Sequence, residues 1–214
     1  MTGGSNASRV VSGVGGSSGI DPVLLENFRI LRRPVQAADH LPAVFVRSAE
    51  RMAAVARMTV SGSRGPGMLA ARRANLGLLP SLTRRTTLPG TRLERWLEPG
   101  RRGFCVWTAE RGPSGAPITG GFGGGCAATT TRLWADTDGG AFLAAGPPLV
   151  PGSRGEPALA MGLLPDRVSA VDVVTPGGVA TRLQLADGFF ATRFSAGDRL
   201  YAIVAGRRKP IDVA

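Results

Sequence analysis

Residues 103–128, GFCVWTAERGPSGAPITGGFGGGCAA, hold both cysteines of the chain and place five glycines within six positions. Cys105 lies in an apolar run that predicts a strand, and Cys126 follows the glycines directly. The glycines do not match a phosphate-binding loop, because Cys126 and Ala127 stand where the lysine and hydroxyl residue of that motif belong. We expect the glycines instead to let the chain turn back, so that Cys126 approaches Cys105.

The expected proximity of the two cysteines predicts a disulfide between Cys105 and Cys126. A bridge that closes a loop of about 20 residues stabilises a protein by roughly 3 kcal/mol in the chain-entropy model. Two unrelated buried thiols and a single reactive cysteine are the alternatives. A zinc site is not favoured, because two cysteines and one histidine, His40, supply too few ligands and no C-x-x-C spacing occurs.

Outward from these cysteines, residues 81–205 predict an antiparallel β domain. Short alternating runs are separated by turn residues, as in Thr175-Pro176-Gly177-Gly178 between VSAVDVV and VATRLQLA. Within the second of these runs, residues 180, 182 and 184 share one face. Residues 159–205 predict a β-meander, and residues 206–214 predict a basic tail.

The N-terminal part has a different pattern. Residues 1–19 are rich in glycine and serine and predict a disordered tail. Residues 20–80 predict a helical region, which begins with Asp21 as N-cap and Pro22 in the first turn. Helices followed by an antiparallel sheet define an α+β fold class.

The formal net charge of +11 is unevenly distributed. Residues 1–115 hold 17 arginines and 7 acidic residues, a net +10, whereas residues 116–214 hold 9 basic and 8 acidic residues, a net +1. Such a basic half attracts polyanions or serves as a solvated surface. Three arginine doublets supply the candidate anion-binding residues, which are Arg72, Arg73, Arg84, Arg85, Arg101 and Arg102.

No constellation of side chains predicts catalysis. His40 is the only histidine and lies in a proline-bounded linker, where a surface or capping role is expected. Asp136 and Asp138 belong to a turn sequence without the further carboxylates of a calcium loop. No cofactor motif is present, so the sequence favours a protein that is not an enzyme and needs no cofactor.

The compartment is predicted from two opposing features. The first residues lack the apolar region of a signal peptide, and no stretch reaches the roughly 20 apolar residues of a membrane span. If Met1 is the true start, these features predict a cytoplasmic protein. A disulfide requires an oxidising compartment, however. We therefore expect an extracytoplasmic location, with a leader upstream of Met1.

Four stretches carry a resemblance to a known group of proteins. They are FRILRRPVQAADHLP (28–42), LGLLPSLTRR (76–85), RWLEPGRRGFCVW (95–107) and MGLLPDRVSAVDV (161–173). In these stretches the chain resembles uncharacterised proteins of high-GC Gram-positive bacteria, many of which carry a membrane anchor before an extracytoplasmic domain. The resemblance implies a similar location and brings no activity and no catalytic residue.

Together these features predict a non-catalytic structural or binding domain of the cell envelope. The expected partner is an anionic envelope polymer, a lipid surface or another protein. The alternative is a nucleic-acid-binding protein that uses the arginine-rich N-terminal half, with Trp96 and Trp107 available to stack on bases. The same two tryptophans also fit the apolar alternation of core residues, and no known nucleic-acid-binding signature is present.

Overall fold

The structure, a computed structural model, describes residues 19–47, 73–112, 117–129, 142–146 and 158–211. Most of the regular structure in these ranges is β-strand, arranged in three antiparallel sheets. The strands are β1 Arg84–Thr87, β2 Leu93–Pro99, β3 Gly103–Arg111, β4 Pro117–Ala128, β5 Phe142–Gly146, β6 Ala158–Leu163, β7 Val168–Val174, β8 Ala180–Gln184, β9 Phe189–Phe194, β10 Arg199–Val204 and β11 Arg207–Ile211.

The first sheet follows the order of the chain, β1-β2-β3-β4. The second sheet has the order β11-β10-β7-β8, and the third has the order β5-β6-β9. The β-meander predicted for residues 159–205 is therefore not the observed topology. β6 and β7 follow each other in sequence but enter different sheets, and β9 and β10 do the same. Only tertiary packing decides this exchange, because the sequence of a single strand does not specify which sheet the strand joins.

The predicted α+β class is wrong, because the described helices are too short to form a helical layer. The α-helix α1 spans Pro22–Asn27, and Arg29–Arg32 forms a short 3-10 segment. Phe28 between them is extended, and the backbone N–H of Arg29 donates to Asp166 Oδ2 at 2.7 Å. This contact with the β6–β7 turn replaces the next helical turn. Leu24 and Phe28 nevertheless pack in the same apolar cluster.

The rest of the predicted helical region is also mostly non-helical where it is described. Ala37–Asp39 and Pro80–Leu82 are single 3-10 turns, and residues 43–47 and 73–76 are short helical pieces. Residues 48–72 of the expected helical region lie outside the described residues, as do residues 1–18 of the expected tail. The predicted N-cap is present, since Asp21 accepts a hydrogen bond from Val23 N at 3.0 Å.

Residues 207–211 form a strand, although residues 206–214 were expected to be a tail. Ala205 and Gly206 both have positive φ, at 48° and 77°, and connect β10 to β11 in a two-residue turn. Positive φ at both central residues is the geometry that matches the twist of a hairpin. Pro210, which cannot donate to a strand partner, is tolerated because β11 is an edge strand.

The disulfide between Cys105 and Cys126 is present and lies within the first sheet. The two cysteines are direct partners in the register of β3 and β4. The glycines that precede Cys126 were expected to form a turn, but they belong to strand β4. Gly124 faces Trp107, and a Cβ at Gly124 would lie 2.5 Å from Trp107 Cε3. The glycine therefore provides space for the indole ring.

Three apolar clusters hold the sheets together. One face of the first sheet packs on α1 and on Leu163 and Phe189 of the third sheet. The opposite face carries the two cysteines and both buried tryptophans, and Phe45 and Leu76 pack against it. The third cluster joins the second and third sheets. Among the described residues, no helix has the length and apolar character needed to cross a bilayer.

Candidate anion-binding surface

One of the predicted arginine doublets, Arg84 and Arg85, lies in strand β1 of the first sheet, where consecutive side chains point to opposite faces. Arg84 is buried, and its guanidinium donates to the backbone carbonyls of Arg33 and Leu82. Arg85, its neighbour, pairs instead with the buried carboxylate of Glu94. A doublet in a strand therefore does not present two cations to one ligand.

Arg73 is also engaged in the protein interior. Its Nη2 donates to Glu98 Oε1, while the indole N–H of Trp107 donates to Glu98 Oε2 at 2.9 Å. The Arg73 guanidinium also lies over the Trp107 ring, 5.7 Å from the ring centre. Trp96 and Trp107 are both buried, so neither is available to stack on a base.

The third doublet has a different environment. Arg101 and Arg102 lie in the exposed turn between β2 and β3. Arg72 lies outside the described residues. The structure thus brings only Arg101 and Arg102 to the surface together, while Arg73, Arg84 and Arg85 stabilise the fold.

A second group of cations lies on the second sheet, on the face turned away from the apolar cluster. Asp172 on β7 is directly opposite Arg182 on β8 and Tyr201 on β10. We call the surface formed by Asp172, Arg182, Arg199, Tyr201 and Arg208 the outer face. Arg182, Arg199 and Arg208 against Asp172 give the outer face a formal charge of +2.

Asp172 orients two of these arginines. Arg182 donates through Nε to Asp172 Oδ1 at 2.8 Å and through Nη2 to Oδ2 at 3.2 Å. Arg208 donates through Nε to Asp172 Oδ2 at 2.8 Å. The Asp172 side chain is only 2% exposed, whereas those of Arg182 and Arg208 are 56% and 49% exposed. A buried carboxylate thus supports two guanidiniums that face solvent.

The electrostatics of this group follow from the hydrogen bonds. The hydrogen bonds from Arg182 and Arg208 lower the pKa of Asp172, and this effect outweighs the rise in pKa that burial alone would cause. The bond to Asp172 likewise raises the pKa of Arg182. Both partners are therefore charged at neutral pH. Within the described part of the chain, Nη1 of Arg182 and both terminal nitrogens of Arg208 have no acceptor. These nitrogens can donate to an external oxyanion.

A shallow cleft adjoins the outer face. It has a volume of about 440 Å³ and shares Arg199 and Tyr201 with the outer face. Arg208 lies over the Tyr201 ring, 6.0 Å from its centre, and thereby links the cleft to the Asp172 group. The lining residues are Phe194, Asp198, Arg199, Leu200, Tyr201, Pro210 and Ile211.

The sequence pattern predicted only part of this surface. The alternation in β8 placed Arg182 on the face opposite the apolar residues, but Arg208 was assigned to a tail. The sequence feature that could have indicated β11 was the turn at Ala205 and Gly206. The three basic residues 207–209 after this turn favoured the interpretation as a tail. His40, expected at the surface, is exposed. No group of three potential metal ligands occurs within the described ranges.

The fold and this surface define a disulfide-containing antiparallel β protein with an arginine-lined outer face. Comparison with known proteins adds no family to this description, since no family model, no curated protein and no solved structure matches the chain.

Proposed function

We propose that the protein is a non-catalytic binding domain that docks to an anionic polymer of the cell envelope through its outer face. The observation that supports the proposal most directly is the pair Arg182 and Arg208, which Asp172 orients while about half of each arginine side chain is exposed. A guanidinium oriented in this way loses less side-chain entropy when it binds a phosphate or carboxylate.

The proposed location outside the cytoplasm depends on the disulfide, because such bonds persist in oxidising compartments. The resemblance in the four stretches noted above agrees with this location. A phosphate polymer is favoured over a lipid surface because the exposed residues of the outer face are cations and Tyr201, without a group of large apolar side chains that could enter a bilayer.

Binding to poly(glycerol phosphate) tests this proposal. We expect the wild-type protein to bind at low salt and the affinity to fall steeply as salt rises. The variant R182A/R208A should bind at least 10-fold more weakly, and its slope of log K against log salt should fall by about 1.5 if each arginine contacts one phosphate. R101A/R102A is the matched control, because it removes the same charge from the exposed β2–β3 turn.

A third variant, R199A, separates an effect on binding from an effect on folding. This control is needed because R182A/R208A leaves Asp172 buried without partners, so the fold of R182A/R208A must be checked by near-ultraviolet circular dichroism. R199A removes an outer-face cation that has no ion-pair partner among the described residues, and we expect it to weaken binding without altering the fold. Equal loss in R101A/R102A, or affinity that salt does not change, would reject the proposal.

The nucleic-acid alternative is tested with the same variants. A DNA duplex replaces the polymer, and binding that depends on Arg101 and Arg102 more than on the outer face would favour this alternative. Vesicles with and without anionic lipid provide the lipid comparison.

A further inference from the structure

Arg95, in the middle of β2, is a buried cation without an ion-pair or hydrogen-bond partner in the described part of the chain. The residue is only 2% exposed, and its Nε and Nη2 atoms are buried without an acceptor. Burial lowers the pKa of Arg95 to about 10, so the side chain is still charged at neutral pH. A buried charge of this kind is costly unless an opposite charge compensates it.

The buried arginine Arg84 shows what a satisfied guanidinium looks like in the same sheet. Arg84 is 3% exposed and directs its donors to backbone carbonyls, among them Arg33 O at 2.8 Å and Leu82 O at 2.7 Å. Arg84 therefore connects the segment after α1, at Arg33, to the start of β1 through hydrogen bonds. Arg95 has no such carbonyl acceptors for Nε and Nη2. It nevertheless lies on the same face of the sheet as Arg84, since Leu97, two positions along β2 from Arg95, is the direct partner of Arg84.

The cross-strand neighbours of Arg95 are two hydroxyl residues. Thr86 on β1 and Thr108 on β3 are its direct partners across the sheet, and both are buried. Side chains in this register lie about 5 Å apart at Cβ. Neither threonine hydroxyl has a side-chain hydrogen bond within the described ranges. On the other side, the ring of Phe189 faces the guanidinium, 5.7 Å from Cζ.

The unpaired edge of Arg95 has a recognisable geometry. Nε and Nη2 lie along one edge of the planar guanidinium and direct two N–H bonds in parallel within that plane. Arg182 uses these same two nitrogens to bind both oxygens of the Asp172 carboxylate. The edge that Arg95 leaves open is thus the edge that binds a carboxylate elsewhere in this chain.

We infer that Arg95 is the recognition group of an internal site that takes a small organic carboxylate, with Thr86 and Thr108 beside it. A carboxylate is favoured over a phosphate because it carries one charge, which a single guanidinium neutralises, and because its apolar remainder suits the cluster around Phe189. This site lies on the first sheet and does not depend on the function proposed for the outer face.

Thermal unfolding of the full chain tests the inference, with sodium butyrate and sodium benzoate as probes. We expect either carboxylate to raise the Tm of the wild-type protein saturably, by about 5–10 °C at 100 times the fitted dissociation constant. Sodium chloride at matched ionic strength and inorganic phosphate should give no saturable rise. R95M should lose the carboxylate effect, and R95K should bind at least 10-fold more weakly because lysine lacks the paired donors.

R84M is the matched control, since it removes a buried arginine whose donors are satisfied. We expect R84M to lower the Tm without carboxylate while keeping the carboxylate-induced rise. R95M should fold with a Tm equal to or above that of the ligand-free wild type, because methionine fills similar space without the charge.

A second measurement follows Arg95 directly. In protein labelled with ¹⁵N-arginine, the Nε–Hε resonance that is missing in R95M should shift on addition of butyrate. The inference is overturned if R95M keeps the Tm rise, if phosphate or chloride reproduces it, if no probe shifts that resonance, or if ligand-free R95M is destabilised as much as R84M.

Discussion

Cys105 and Cys126 face each other across β3 and β4, with their Cα atoms 4.0 Å apart and their sulfurs bonded. The bridge joins neighbouring strands of the first sheet and closes a loop with a sequence separation of 21. Both residues are buried in the cluster that contains Trp96 and Trp107, and Glu98 is the partner of Cys105 on β2. The bond therefore holds the long strand β4 to the sheet next to the glycine run.

We expect loss of this disulfide to lower the free energy of unfolding by about 3 kcal/mol, because an unbridged unfolded chain gains loop entropy. The measurement is urea unfolding of the oxidised protein and of C105A/C126A. As a control, a reducing agent should shift the midpoint of the wild-type protein and leave that of the variant unchanged. Equal midpoints for both oxidised proteins would contradict the expectation.

Gly124→Ala is expected to destabilise the protein by about 1–3 kcal/mol, because the added methyl group overpacks the contact with Trp107. The Cβ would lie 2.5 Å from Trp107 Cε3 and 2.8 Å from Val106 O. Gly177→Ala is a suitable control, since a Cβ there meets only Thr175 Oγ1 at 3.9 Å. Thermal unfolding of both variants tests the role assigned to Gly124, and comparable effects would argue against it.

Asp39 connects the N-terminal segment to β1, and Asp39→Asn should cost about 3–5 kcal/mol. Its buried carboxylate accepts from Arg33 Nη1 at 2.7 Å and Nη2 at 2.6 Å, and from the backbone N–H groups of Gln36 at 2.7 Å and Arg85 at 2.8 Å. The amide cannot accept all four bonds and leaves Arg33 without its ion-pair partner. Urea unfolding at pH 7 measures the loss, and a change below 1 kcal/mol would contradict this assignment.

The same carboxylate predicts an acid limit to stability. Burial acts to raise the pKa of Asp39, but hydrogen bonds from Arg33, Arg85 and Gln36 outweigh it and lower the pKa below its ordinary value of 3.8. The stabilisation is thus present above pH 3.8 and is lost as the pH falls through the folded-state pKa. Asp172, whose pKa is also lowered, contributes with the same sign.

Urea midpoints between pH 7 and pH 2 measure this dependence. We expect a fall in stability below about pH 4 in the wild-type protein and a shallower fall in D39N. A dependence as steep in D39N as in the wild type would show that other carboxylates account for the acid limit.

Much of the secondary structure was predictable because hairpins depend on local sequence. The turn at 175–178 and the alternation on both sides of it correctly indicated β7 and β8. The predicted strand around Cys105 is likewise β3. Asp21 and Pro22 correctly indicated the start of α1 but not its end at Asn27, because the contact that ends the helical pattern comes from Asp166, 137 positions from Arg29.

The sequence by itself determined the hairpin around residues 175–178, the strand around Cys105, the cysteine pair and where the basic residues concentrate, because alternation, turn residues and counts are local properties. The same local patterns wrongly assigned β11 to a tail and the glycines of β4 to a turn. Only the tertiary structure decided which cations reach solvent. Arg84 and Arg85 are neighbours in sequence but point to opposite faces of a strand, whereas Arg182 and Arg208 meet at one carboxylate because β8 and β11 belong to the same sheet. The pairing of strands distant in sequence depends on burial and register, which no short stretch encodes.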